Sequence, residues 1–337
     1  MRIAIDAMGG DSAPHAEVEG AIQSIPHLSG QKLVLVGDEE RIHAAAEPHG
    51  GLPSEIQVLH ASQVVEMTDR PVEAMRHKRD SSIARCVELV SKGEAVAIVS
   101  AGNTGAVVAH ATFKLGLLEG IRRPGIAVGM PTRTGSPTLV IDCGANVKTT
   151  PENLLQYGIM ASAYAQGVFG KKKPTVGLLN IGQETIKGND LVREARDLFE
   201  AAPLHFIGFV EGGHIFDGEA DVVVCDGFVG NVLLKVSEGV ADTIMALMKQ
   251  AVQRTLRRRI GAMLCKYAML DLAARVDRAE LGGAPLLGVN GICLISHGGS
   301  DARAICNAVR RASEAVAHNV NAQIVASLRA CNTSRPQ

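Results

Sequence analysis

Nine short runs rich in valine, isoleucine and leucine limit what this chain can fold into more than any other feature. They are IAID (3–6), LVLVG (33–37), IQVL (56–59), AVAIVS (95–100), TLVID (138–142), TVGLL (175–179), HFIGFV (205–210), DVVVCD (221–226) and ICLIS (292–296). Most are apolar almost from end to end instead of alternating, as strands covered on both faces are. Helical patterns over 14–25, 39–46, 81–92, 103–117, 151–169, 188–201, 228–255 and 299–328 separate many of them. The alternation predicts a largely parallel sheet with helices on both faces. No repeat of fixed period and no low-complexity linker interrupts it, so a single α/β domain is expected over 1–330, with a short tail at 331–337.

In such folds a ligand sits beyond the carboxyl ends of the strands, where helix N-termini gather. Six segments lie there: DAMGGDSAP (6–14), SAGNTGA (100–106), DCGANVKTTPE (142–152), NIGQETIKGND (180–190), CDGFVGN (225–231) and SHGGSDA (296–302). Glycine turns and Ser, Asn or Asp caps are ordinary at any one such join. Six together predict a rim of backbone N–H donors suited to an anion such as phosphate. Candidate anion ligands on it are Asn103, Thr104, Asn180, Asn189, His297 and Ser300. A basic cluster, RHKRDSSIARC (76–86), adds Lys78 beside Arg76 and Arg79, with Ser81 or Ser82 placed to cap the next helix. His77 and His297 are the histidines nearest these segments, although a lone histidine is more often structural.

Several function classes are excluded. Lys and Arg number 34 against 35 Asp and Glu, and there is no tryptophan, so neither bulk charge nor stacking surface argues for nucleic acid. No GxGxxG follows the first strand, and GxxxxGK[ST], GxSxG and HExxH are missing. No cofactor and no metal is therefore expected. Seven scattered cysteines without a CxxC pair suit a reducing cytoplasm. The N-terminal MRIAIDAMGG is too short in apolar residues for a signal peptide. No run reaches the roughly 18 apolar residues of a membrane span, so any membrane contact is expected at the surface.

One region, about 238–276, has a different character. Val240, Ile244, Leu247, Met248 and Ala251 fall at helical spacing, and RTLRRRIGAMLCKYAML (254–270) mixes a basic run with Met263, Leu264 and Tyr267. A helical hairpin is expected, serving either dimer packing or contact with an anionic membrane surface.

Taken in order, the segments IAIDAMGGDSAP, RHKRDSS, VSAGNTGA, GANVKTTPENLLQYG, VGLLNIGQETIKGN, FVEGGHI, DVVVCDGFVGNVLLK, GGAPLLGVNG and HGGSDARA resemble the PlsX family of bacterial phosphate acyltransferases, from residue 3 to about 304. Cys143 and Gly213 stand where that family often has an aliphatic or small residue and an arginine. The resemblance implies an α/β/α sandwich of the isocitrate/isopropylmalate dehydrogenase-like class, a homodimer, and a protruding helical pair whose tip, at Met263, Leu264 and Tyr267, touches the membrane. It implies that acyl-acyl carrier protein and inorganic phosphate give acyl phosphate and free carrier protein. The product would feed a membrane glycerol-3-phosphate acyltransferase, and the enzyme would be cytoplasmic and peripherally membrane-associated.

That chemistry agrees with the missing nucleophile. Phosphate is largely dianionic at neutral pH, with a second pKa near ~6 in its monoesters, and a thiol of pKa around ~8.5 leaves without a strong acid. Positioning supplies about 7–11 kcal/mol at best, and one oxyanion donor about 3–4 kcal/mol. Lys187 stands at the mouth of a helix, where the dipole disfavours a cation. With the resemblance, this makes Lys187 the expected partner of phosphate or oxyanion, and Asn231 of GFVGN the expected donor to the thioester oxygen. The rivals are an acetyl-CoA-type phosphotransacetylase, a non-catalytic membrane scaffold for lipid-synthesis enzymes, and a decarboxylating dehydrogenase, for which the NAD and metal residues are missing.

Overall fold

All nine apolar runs form strands in the computed structural model, which describes residues 1–270 and 282–333. They are β1 (Arg2–Asp6), β2 (Lys32–Gly37), β3 (Ile56–His60), β4 (Ala97–Ser100), β6 (Thr138–Ile141), β7 (Thr175–Asn180), β8 (His205–Glu211), β9 (Val222–Val224) and β11 (Ile292–Ile295). Two further strands escaped the sequence pattern: β5 (Gly125–Met130) and β10 (Ala284–Leu287). GIAVGM is diluted by glycine, and APLL is only four residues long and contains proline, so neither carries a strong strand signal.

The helices are α1 (His15–Ser24), α2 (Glu39–Ala46), α3 (Pro71–His77), α4 (Ser82–Ser91), α5 (Thr104–His110), α6 (Pro151–Phe169), α7 (Asp190–Glu200), α8 (Gly227–Gln253), α9 (Leu256–Leu264), α10 (Ala302–Ala317) and α11 (Val320–Thr333). Eight of them start at side-chain caps. Asp38, Ser81, Asn103, Thr150, Asn189, Asp226, Thr255 and Asp301 each accept a backbone N–H of the helix they precede. The single helix expected over 299–328 is broken where Asn319 takes a φ of 50°. The one expected over 103–117 continues past α5 as a π-helical turn, Ala111–Leu115.

The strands join in one sheet of order β3-β2-β1-β4-β11-β10-β5-β6-β9-β7-β8. Among the described residues seven pairings are parallel and three antiparallel, the latter being β11–β10, β10–β5 and β5–β6. Three reversals in succession turn the second half of the sheet over. Strands β3, β2, β1, β4 and β11 end on one edge, whereas β6, β9, β7 and β8 end on the other. Helices cover both faces: α1, α2, α10, α6, α7 and α11 pack on one, with α10 touching both α1 and α6, and α4 and α5 pack on the other. Tyr157 of α6, Phe199 of α7 and Leu33, Leu35, Ile98, Leu139 and Ile141 of the strands are fully buried. Each such aliphatic or aromatic side chain contributes about 1.5–3 kcal/mol relative to exposure.

Beyond its second turn, where Leu233 and Leu234 still pack on the core, α8 leaves this body. Only Gly227 and Gly230 of its 27 residues are buried, and α9 buries none. Residues 266–270 are helical, and the end of the expected hairpin, 271–276, lies outside the described residues. So does the end of the expected tail, 334–337, whereas Cys331–Thr333 close α11. Among the described residues no helix is long and apolar enough to cross a membrane.

Candidate functional site

The reversal divides the six glycine-rich joins, which a uniformly parallel sheet would have gathered into a single rim. Those after β1, β4 and β11 lie on the first edge, and those after β6, β7 and β9 on the second. Asn103, Thr104, His297 and Ser300 stand on the first edge beside Lys78, Ser81 and Ser82. Lys187, Asn231, Asn180 and Asn189 stand on the second. The expectation of one continuous rim is thus corrected by three antiparallel pairings that the pattern of apolar runs did not reveal.

On the first edge, most polar side chains are already engaged. The Asn103 Oδ1 accepts Ala106 N at 3.0 Å, and its Nδ2 points at the carbonyls of Glu66, Met67 and Asp69. Lys78 Nζ donates to Asp69 and to Val64 O at 2.8 Å. Ser81 caps α4, and the Ser82 hydroxyl supports Asp6. The His297 Nδ1 accepts Gly299 N at 3.1 Å, and Ser300 N returns to His297 O. Thr104 is exposed at the start of α5. These residues hold loops and helix starts. Asp6 is fully buried, and Gly9 and Gly102 pack against its carboxyl group.

Glu17 lies deeper, fully buried against Gly10, and among the described residues neither of its oxygens has a hydrogen-bond partner. Burial, helped by Asp6 and Asp11, pushes its carboxyl up to about 7. The folded chain therefore holds a proton there that the unfolded chain gives up near 4.5. Stability from this group is fully present below that value and is lost as pH rises to 7 and beyond. A shift of this size corresponds to about 3 kcal/mol. Glu17→Gln is expected to raise Tm at pH 8 and to change it little at pH 5. Equal shifts at both pH values would contradict this account.

The second edge is built differently. After β6, the Asp142 carboxylate turns back into its own loop. Its Oδ1 accepts the N–H groups of Ile126 at 3.0 Å, Gly144 at 3.1 Å and Ala145 at 2.9 Å; its Oδ2 accepts Asn146 N at 2.7 Å and Asn146 Nδ2 at 3.1 Å. Burial raises its pKa, and the donors on Ala145, Ile126 and Asn146 pull it back down. After β9, Asp226 caps α8 by accepting Phe228 N and Val229 N, so Asn231 is not the cap. Asn231 directly follows the first turn of α8, exposed, with its side chain against Gly144 and, among the described residues, no hydrogen bond to its amide. Cys143 and Cys225 also lie here, but burial pushes both thiols up, and buried thiols of this kind are inert packing.

After β7, the loop bearing Lys187 is pinned at both ends. Asn180 Nδ2 donates to Lys187 O at 3.3 Å, Asn189 caps α7 through Val192 N at 3.0 Å, and Arg193 Nη1 donates to Gly188 O at 2.7 Å. Gly188 is required twice over, since its φ is 91° and a Cβ there would run into Asn180 Oδ1. The Lys187 stem lies over Gly182, whereas its amine is exposed and makes no ion pair or hydrogen bond among the described residues. Gln183 Nε2 reaches His214 Nδ1 at 3.1 Å, tying the loop to the segment after β8. The same three joins expose Val147, Ile181, Ile186, Phe228, Val229 and Val232. An unengaged cation and an unengaged amide thus sit on neighbouring joins among apolar side chains, an arrangement suited to a ligand that is part anion and part hydrocarbon.

The sequence reading passed over Asp142, Asn146, Glu17 and His214. For Asp142 a signal was present: VID at 140–142 repeats the AID of 4–6, an aspartate ending an apolar strand before a glycine-rich loop.

Comparison with known proteins adds the relatives. Residues 1–323 match the family model described as fatty acid synthesis protein. The chain is 47% identical over 328 residues to the phosphate acyltransferase of Geotalea daltonii, covering 97% of this chain and 94% of that one. It is 49% identical over 317 residues to that of Desulfitobacterium hafniense, covering 94% of each. Among solved structures, a phosphotransacetylase from Streptococcus pyogenes aligns with a TM-score of 0.60 at 17% identity, covering 93% of each chain. A 4-hydroxythreonine-4-phosphate dehydrogenase from Burkholderia phymatum aligns with a TM-score of 0.51 at 15% identity, covering 93% of this chain and 97% of that one. At these identities the solved structures establish the α/β fold alone.

Proposed function

Because the chain belongs to the PlsX family of fatty acid synthesis proteins, we propose that it is a phosphate acyltransferase that moves an acyl group from acyl carrier protein to inorganic phosphate. One observation carries the reading to particular residues. Lys187 and Asn231, whose polar groups have no partner among the described residues, occupy neighbouring joins of the second edge amid exposed apolar side chains.

In this reading a phosphate oxygen, held by the Lys187 ammonium, attacks the thioester carbonyl carbon. The new C–O bond forms as the carbonyl electrons move to oxygen, and Asn231 donates a hydrogen bond to that oxyanion. When the carbonyl reforms, the C–S bond breaks and the carrier's thiolate leaves, taking a proton from water. No covalent enzyme intermediate is required, in keeping with two buried thiols of raised pKa. Phosphate belongs at the Lys187 edge rather than beside Asn103, Ser81 and Lys78, whose polar atoms are already used to hold the first edge.

Acyl phosphate is a labile product. A membrane glycerol-3-phosphate acyltransferase as consumer, a homodimeric enzyme and a hairpin resting on anionic lipid complete the proposal. Leu256, Ile260, Met263, Leu264 and Tyr267 are exposed beside Arg257, Arg258 and Arg259. Apolar insertion next to basic residues gives reversible, salt-sensitive attachment. Met263→Glu with Leu264→Glu is expected to abolish co-flotation with phosphatidylglycerol vesicles and to leave turnover on soluble substrate unchanged. Undiminished flotation would remove the tip from the account.

Substrate choice is tested by offering acyl-acyl carrier protein and acyl-CoA separately, at equal thioester concentration and saturating phosphate. Faster turnover of the carrier protein is expected. Faster turnover of CoA would identify a phosphotransacetylase, and no phosphate-dependent turnover of either would leave a scaffold.

A further inference from the structure

We propose that Asp142 is a positioning residue for acyl transfer, fixing Asn231 against the reacting thioester through the loop 143–146. This rests on the role given to Asn231 above. The Asp142 carboxylate gathers five donors, four of them from Gly144, Ala145 and Asn146, and so folds that loop around itself. The fifth, Ile126 N, comes from β5 and locks the carboxylate to the sheet. Asn146 is held from both sides, because its Nδ2 also donates to Pro124 O at 2.6 Å.

The loop then carries α8. Asn146 O accepts Gly227 N at 3.0 Å, and Cys225 O accepts Asp142 N at 3.0 Å. A Cβ on Gly227 would stand 2.7 Å from Asp142 Oδ2 and 2.6 Å from Asn146 O, so the helix start lies directly on this loop. A Cβ on Gly144 would stand 3.5 Å from Asn231 Oδ1, which places the Asn231 side chain on the backbone that Asp142 organises.

Asp142→Asn keeps the volume but cannot keep the bonds. Whichever way its amide turns, the NH2 faces N–H donors, on the Oδ1 side those of Ile126, Gly144 and Ala145, on the Oδ2 side those of Asn146. A double-mutant cycle with Asn231→Ala separates positioning from general support, read as kcat and phosphate KM on acyl-acyl carrier protein. Asp142→Asn alone is expected to lower kcat about 10–100-fold, as loss of a supporting partner does, with phosphate KM nearly unchanged. In the Asn231→Ala background the same change is expected to cost no more than about twofold.

An equally large fall in both backgrounds would overturn the proposal and leave Asp142 as a fold residue. Unchanged kcat in Asp142→Asn would do the same. Wild-type turnover of Asn231→Ala alone would instead overturn the role of Asn231, and this inference with it. If Asp142→Asn does not fold, Asn146→Ala, which removes one donor and keeps the carboxylate, runs the same cycle with the same expected pattern.

Discussion

Lys187→Ala is expected to lower kcat/KM for phosphate about 100–1,000-fold, the range for losing one preorganised charge stabiliser, while leaving thermal stability unchanged. The separation of the two effects follows from the geometry. Asn180, Asn189 and Arg193 hold the loop from both ends, and each bonds to the backbone or to α7 instead of to the Lys187 amine. Removing the amine therefore breaks no bond on which the fold relies. In the proposed mechanism the loss is electrostatic, because the attacking phosphate and the developing oxyanion would both carry negative charge at this edge. Lys187→Arg, which keeps the charge on a bulkier planar group, is expected to retain part of the activity. Wild-type kinetics in Lys187→Ala would move the reacting centre away from this loop.

Gly230→Ala is expected to damage both stability and turnover. A Cβ at this position would overlap Asp142 O and lie 2.9 Å from Cys225 Sγ, and Asp142 O is backbone that cannot rotate aside. The first turn of α8 must then shift, at a cost of about 1–3 kcal/mol for overpacking. Asn231 is the next residue, so it moves with the turn; with Asn231 in its proposed role, a displacement near 1 Å at the reacting centre would cost about 100-fold in rate. Gly239→Ala provides the control in the same helix. Nothing lies within 4 Å of a Cβ there, so that change is expected to stabilise α8 by up to about 1 kcal/mol and leave kcat alone. Thermal unfolding and steady-state kinetics on the two variants decide the matter. Similar behaviour of both would mean that α8 does not rest on the Asp142 loop as described.

Much of the fold was legible in the sequence because apolar continuity reports strands covered on both faces. The runs at 3–6, 33–37 and 175–179 became β1, β2 and β7 almost to the residue, and the pattern at 151–169 became α6. Direction was not legible. A run such as TLVI has no polarity of its own, and the two strands that reverse the sheet, GIAVGM and APLL, carry too few β-branched residues to be seen. Hence six joins that look alike in the sequence form two edges of different chemistry. Lys187 stood out because a cation at a helix mouth conflicts with the dipole, and the conflict is visible in one dimension. Asn103 and Ser81 looked equally suited to an anion, yet spend their polar atoms on loops and caps, a use that only tertiary contacts reveal. Asp142 went unnoticed for the opposite reason, since its five donors come from a loop that closes on itself and from a strand the pattern missed.

The most direct test of the central claim is to incubate the purified chain with acyl-acyl carrier protein, with and without inorganic phosphate, and to measure carrier thiol and acyl phosphate together. The account expects acyl phosphate to appear in step with free thiol, only when phosphate is present, and to disappear in Lys187→Ala. Thiol release without phosphate, or no acyl phosphate from the intact chain, would contradict it.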